Sequence, residues 1–141
     1  MSADIYRMWK RSNQLYKAGH RKIAKLIYIY LRVVFSCDIL YSANIGENTV
    51  FKHHGLGVVI NPDSVIGDNC VIYQNVSVAG RSGMPPPIIG NNVLLGANSL
   101  ILGNVKIGDN VQVGAGCVVV KDIPANSVVV GNPARIIKTI Y

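Results

Sequence analysis

From Ile39 onward a large apolar side chain returns every sixth residue, and this period rules out most folds. Ile39, Ile45 and Phe51 set the beat; Ile60, Ile66, Ile72 and Val78 resume it; Ile89, Leu95, Ile101, Ile107, Val113 and Val119 carry it on. Four places after these positions stands a small or compact residue: Ala43, Thr49, Ser64, Cys70, Val76, Val93, Ser99, Val105, Val111 and Cys117. A helix repeats every 3.6 residues and a pleated strand every two, so neither yields six. A short strand followed by a corner does. The large side chain points inward and the small one fits beside it. The glycine that often follows ("IGEN", "IGDN", "IGNN", "LGAN", "VGAG") is expected to relieve backbone strain at the turn. Three units close a triangular coil of about 18 residues, and stacked coils pair as parallel strands about 4.8 Å apart. The expected fold is all-β: a left-handed parallel β-helix of hexapeptide repeats with a short N-terminal α-helical cap.

Charge divides the chain in two. Residues 1–35 hold eight bases (Arg7, Lys10, Arg11, Lys17, Arg21, Lys22, Lys25, Arg32) against Asp4, whereas six bases and six acids cancel from Ser36 onward. The net charge of +7 therefore belongs to a basic segment, 1–36, placed ahead of a β-helix domain, 37–141. That segment reads as two helices broken near Gly19, with Ile5, Met8 and Trp9 and then Ile23, Leu26, Ile27, Tyr30, Leu31 and Val34 at helical spacing. Its apolar stretch, interrupted by Lys25 and Arg32, falls short of the roughly 20 residues that cross a bilayer. No small-residue cleavage site follows it. It is expected to cap the core, with its basic face available to anionic lipid at the inner face of a membrane or to a charged glycan. Nucleic acid is not expected, since stacking aromatics and a recognised fold for it are missing. Three cysteines (Cys37, Cys70, Cys117) without paired spacing suit reduced thiols in the cytoplasm, with Cys70 and Cys117 as core filler.

A coil interior filled by aliphatic side chains holds no substrate, so chemistry is sought where the beat fails: residues 52–59 and 79–88. The first break contains His53 and His54. Three histidines in all, one of them (His20) in the basic helix, make a poor metal set, and no metal is expected. A histidine with a carboxylate is the better reading. Asp38 precedes His53 by 15 residues, three short of a coil, which would put them at one corner of adjacent coils. A carboxylate there would hold one imidazole nitrogen and leave the other as a base. The plainer alternative makes Asp38 a cap between helix and coil, and His53 a surface residue.

The stretches "CDILYSANIGENTVFKHHGLGVVI", "VIYQNVSVAG", "IIGNNVLLGANSLILGNVKIGDNVQVGAGCVVVKDIP" and "VVVGNPARII" resemble the hexapeptide acyltransferases, nearest the serine O-acetyltransferase branch. The resemblance covers about 37–138. It implies an acetyl-CoA-dependent O-acetyltransferase, working as a homotrimer with sites between neighbouring prisms. It also implies His53 as catalytic base and Asp38 as its orienting acid. His54 stands beside them, as alternative base or wall of the acceptor pocket. Acetyl-CoA would lie along small residues at Gly80, Ala97 and Ala115, with Lys121, Arg135 and Lys138 near its phosphates. Transfer would be direct, without an acyl-enzyme, and a backbone N–H near Gly80 would face the oxyanion.

Two departures bear on the acceptor. The branch carries a histidine that seats the amino acid where "GRSGMPPPIIG" places Pro86, and its long N-terminal helical domain is replaced here by about 36 residues. The match therefore extends to base and donor groove but not to the amino-acid pocket. Relatives that acetylate sugars in surface-polysaccharide synthesis suit this pattern better. The expected acceptor is a saccharide hydroxyl; serine, an amino-sugar amine, or a scaffold without chemistry are the alternatives.

Overall fold

The computed structural model describes residues 4–140. Helices α1 (Ile5–Lys17) and α2 (Arg21–Phe35) reverse through Gly19, whose φ of +89° suits a residue without Cβ. The rest winds through three parallel sheets as a β-helix. The first face stacks Asp38–Ile39, Val59–Ile60, Ser77–Ala79, Leu100–Leu102 and Val118–Val119. The second stacks Asn44–Ile45, Val65–Ile66, Ile88–Ile89 and Lys106–Ile107. The third stacks Val50–Phe51, Val71–Ile72, Leu94–Leu95, Gln112–Val113 and Ser127–Val130, on which Arg135–Thr139 folds back antiparallel.

Register measures the two breaks. Ser77 stacks on Val59 and Val118 on Leu100, each 18 residues apart, as the hexapeptides require. Val59, however, stacks on Asp38 after 21 residues and Leu100 on Ser77 after 23. The first interruption thus adds three residues to its coil and the second adds five. The periodic positions fill the interior as the spacing predicts: Ile72, Val78, Leu95, Ile101, Val113 and Val119 are wholly buried.

The glycines act differently from expectation. The left-handed corner conformation falls not on Gly46, Gly67, Gly90 or Gly108 but on Asn48, Asn69, Asn92 and Asn110, with φ between 55° and 58°. Asparagine tolerates that region through local hydrogen bonding. Glycine is needed because successive coils touch there. A Cβ on Gly67 would lie 2.5 Å from the Gly90 carbonyl oxygen. Beside it, the Glu47, Asp68 and Asn91 N–H groups donate to side chains one coil on: Asp68 Oδ1 at 2.7 Å, Asn91 Oδ1 at 2.8 Å and Asp109 Oδ1 at 2.7 Å.

A solenoid leaves an open strand edge at each end, which invites pairing with other chains. Helix α1 covers one: Trp9 Nε1 donates to the Leu40 carbonyl at 3.0 Å, and Asn13 Nδ2 to that of Tyr41 at 2.7 Å. Ser12 Oγ ties α1 to the Ala24 carbonyl of α2 at 2.8 Å. Helix α2 departs from the sequence expectation. Of the apolar residues its periodicity selects, Leu31 is buried and Ile27 partly so, while Ile23, Leu26, Tyr30 and Val34 face outward. Ala24 and Leu31 make its buried seam. The reason is supply: α2 has two apolar stripes and the prism end has room for one. Among the described residues no helix is long and apolar enough to cross a membrane.

All three cysteines are free and buried. Burial pushes the Cys37 thiol up to about 11, with nearby Asp38 adding to it, and raises those of Cys70 and Cys117. Folded protein is therefore expected to resist alkylation by iodoacetamide at pH 8, with all three thiols appearing only on denaturation, as read by mass spectrometry. A folded-state thiol raised above its unfolded value favours the fold below that value. Stability is accordingly expected to fall as pH rises from 9.0 toward about 11.

Candidate active site

The chain meets the first break as the turn Lys52–Gly55. His53 (φ 51°, ψ 39°) and His54 (φ 55°, ψ 29°) are both left-handed, a state that costs a residue with Cβ about 1–3 kcal/mol. Surrounding contacts hold them there. Gly55 is buried, and a Cβ built on it would meet Ile5 and Cys37 at 3.6 Å. The Leu56 N–H closes the turn on the His53 carbonyl at 3.2 Å, and the Gly57 N–H reaches the Ser36 carbonyl at 2.9 Å. The His54 ring lies 6.0 Å from that of Phe35 at the end of α2.

The turn opens on a groove of about 1020 Å³, bounded on the α1 side by Tyr6, Arg7 and Lys10. Most charges here are already paired. Arg7 meets Asp4 at 3.3 Å, and Lys10 meets Glu47, whose carboxyl it holds below the usual range. Both histidines are exposed to the groove.

The expected hydrogen bond between Asp38 and His53 is not formed. Because the first break lengthens its coil to 21 residues, Val59 stacks on Asp38, and His53 sits six residues short of it. Helix α2 takes the carboxylate instead. Tyr28 donates to Oδ1 at 2.8 Å, and the Arg32 guanidinium donates to Oδ2 at 3.0 Å and to the Tyr28 hydroxyl oxygen at 2.9 Å. A guanidinium within reach of a carboxylate forms strong charge-assisted bonds. Burial, then the bond to Asp38, raises the Tyr28 phenol. The His53 ring makes no hydrogen bond or ion pair among the described residues. Periodicity could not flag Tyr28 and Arg32, because only the docking of α2 brings them to the coil.

The remaining positions fall on two edges of the prism. Where the third face turns into the first, the Asn75 N–H donates to the Leu56 carbonyl, that of Asn98 to Gln74, and that of Gly116 to Ala97. The histidine turn, Gln74, Ala97 and Ala115 thus climb one edge, a coil apart. The Ala134 N–H bonds the Val118 carbonyl above them and leads into Arg135 and Lys138, both exposed on the third face. Gln74 Oε1 is buried there without a hydrogen-bond partner among the described residues. The quoted motif contained Gln74, yet spacing gave it no role. Gly80, Pro86 and Lys121 follow the first face instead, toward the second. Gly80 shares a groove of about 350 Å³ with Asp38, Tyr28 and Asn61. Within one chain, therefore, Pro86 does not join His54.

A triangular prism of hexapeptides with a strained histidine pair at its first break defines a class. The family model described as "Bacterial transferase hexapeptide (six repeats)" matches residues 86–121, and the chain belongs to the hexapeptide-repeat acyltransferase family. Its similarity is to the serine acetyltransferase branch. It is 40% identical over 126 residues to a serine acetyltransferase of Synechococcus elongatus, covering 87% of this chain and 51% of that one. The serine acetyltransferase of Brucella abortus in complex with coenzyme A superposes with a TM-score of 0.89 at 32% identity, covering 96% of this chain and 55% of that one. The soybean enzyme complexed with serine gives 0.85 at 38%, covering 94% and 56%. The chain spans about half the length of these relatives.

Proposed function

We propose that this protein is an acetyl-CoA-dependent O-acetyltransferase, and that its acceptor is serine. One observation carries the reading: the histidine turn shares an edge with the small residues Ala97 and Ala115, so a thin thioester arm laid along them ends at an imidazole. The relatives favour serine over the saccharide expected from sequence. In this reading His53 takes the proton of the acceptor hydroxyl, and the oxygen attacks the thioester carbonyl carbon. The tetrahedral oxyanion is met by a backbone N–H near Gly80, and its collapse breaks the carbon–sulfur bond. The imidazolium then protonates the departing thiolate. Asp38 keeps a part: a carboxylate offers about four acceptor sites, and Tyr28 and Arg32 use two. Lys121, Arg135 and Lys138 would meet the phosphates of coenzyme A.

Because Gly80 and Pro86 lie away from the histidine edge, a complete site takes an edge from each of two copies. A homotrimer closes that arrangement three times.

Two observations support second readings. Proline at 86 and the volume of the histidine groove, about 1020 Å³, suit a saccharide hydroxyl. The ring of His54 packs 6.0 Å from that of Phe35, a contact that would fix it as the base in place of His53. The test is thiol release from acetyl-CoA, followed with DTNB, against serine, neutral sugars and amino sugars. Turnover with serine supports the proposal, whereas turnover with sugars alone moves the acceptor. No turnover with any acceptor, together with no binding of coenzyme A, leaves a scaffold.

A further inference from the structure

The largest feature that acyl transfer leaves unused is the outward side of α2. Ile23, Leu26, Ile29, Tyr30, Val33 and Val34 all face solvent, Val33 at 75% and Leu26 at 66% exposure. Soluble proteins rarely leave so many large apolar side chains together, and such a patch marks an interaction surface. A shallow groove of about 320 Å³ continues it onto α1, lined by Met8, Ile23, Leu26, Ile27 and Tyr30, with Arg11 as its cation.

Charge says what covers this face. No acid occurs between Asp4 and Asp38, and each of those is already engaged, by Arg7 and Arg32. Arg11, Lys17, Arg21, Lys22 and Lys25 remain exposed around the apolar stripe. A second copy meeting this face would bring like charges together. A folded acidic partner would call for directional polar contacts, which the stripe does not offer. A helix with an exposed apolar stripe and flanking bases matches what lies in the headgroup region of an anionic bilayer. Long basic side chains reach phosphates from the edges while the apolar residues enter the acyl boundary.

We propose that the outward face of α2 docks this protein on an anionic lipid surface, parallel to the membrane plane. The proposal does not depend on the acceptor or on the catalytic assignment. Its test is co-sedimentation of the full chain with vesicles of phosphatidylcholine alone and of phosphatidylcholine mixed with phosphatidylglycerol. Binding is expected only to the mixed vesicles, at roughly 0.1 M salt, and should weaken steeply at 1 M. Leu26→Glu with Val33→Glu should cut binding by roughly tenfold or more, with the melting temperature unchanged since both side chains are exposed. Lys22→Glu with Lys25→Glu should also reduce it, which separates lipid docking from nonspecific apolar adhesion. Equal binding to neutral vesicles, no binding to mixed ones, or binding unaffected by both double variants overturns the proposal. So does a fall in oligomeric mass on Leu26→Glu with Val33→Glu without vesicles, which would assign the face to contact between copies.

Discussion

Replacing His53 with alanine is expected to lower kcat by roughly 10² to 10⁴, the usual worth of a positioned general base. The KM for acetyl-CoA should change little, since the donor would lie along Ala97 and Ala115, coils away from the turn. His54→Ala is expected to act mainly on the acceptor KM. Asp38→Asn should lower kcat less than His53→Ala, because Tyr28 and Arg32 hold the carboxylate in place without the histidine. Steady-state kinetics on the three variants, each checked for an unchanged melting temperature, decides the matter. A reversed ranking would move the base to His54. Equal, full activity in both histidine variants would remove the turn from the chemistry altogether.

The second large effect is on stability. Gly67→Ala is expected to destabilise the fold by about 3 kcal/mol, at the upper end of the overpacking range. This corresponds to roughly 10 °C in melting temperature for a chain of this size. The added Cβ meets the carbonyl oxygen and carbon of Gly90 at 2.5 and 2.6 Å, both backbone atoms of the next coil, so no rotamer relieves it. Gly80→Ala is the contrasting case. Its Cβ meets only Asn61 Nδ2 at 3.1 Å, the end of a side chain that can turn away. Stability should hold while the KM for acetyl-CoA rises, because in the proposed two-copy site Gly80 belongs to the second edge facing the thioester, where a methyl would intrude. Thermal melts of the two variants side by side test this, and equal losses would show that coil contact does not explain the glycine at 67.

The six-residue beat was sufficient for the solenoid because each side chain's direction follows from its place in the repeat. Ile72 or Val113 can only point inward if the coil closes at all. Counting alone also located the breaks, but it gave neither their added length nor their effect on register. The spacing from Asp38 to His53 suggested a contact. The three extra residues carried Val59 over Asp38 instead, and Arg32 and Tyr28 reached the carboxylate from a helix whose docking no period describes. The corner glycines show the same limit. Their recurrence was visible, but their cause was an approach between coils that exists only once the coils are stacked.

The sequence by itself determined the prism, its inward side chains, its two interruptions and the basic character of the N-terminal segment, since all are properties of residues and their intervals along one chain. Tertiary structure alone decided which apolar stripe of α2 is buried, which partners Asp38 keeps, and that the histidine turn climbs the edge of Ala97 and Ala115. Each of these depends on packing between elements distant in sequence, where shape and charge compete in three dimensions and interval carries no information.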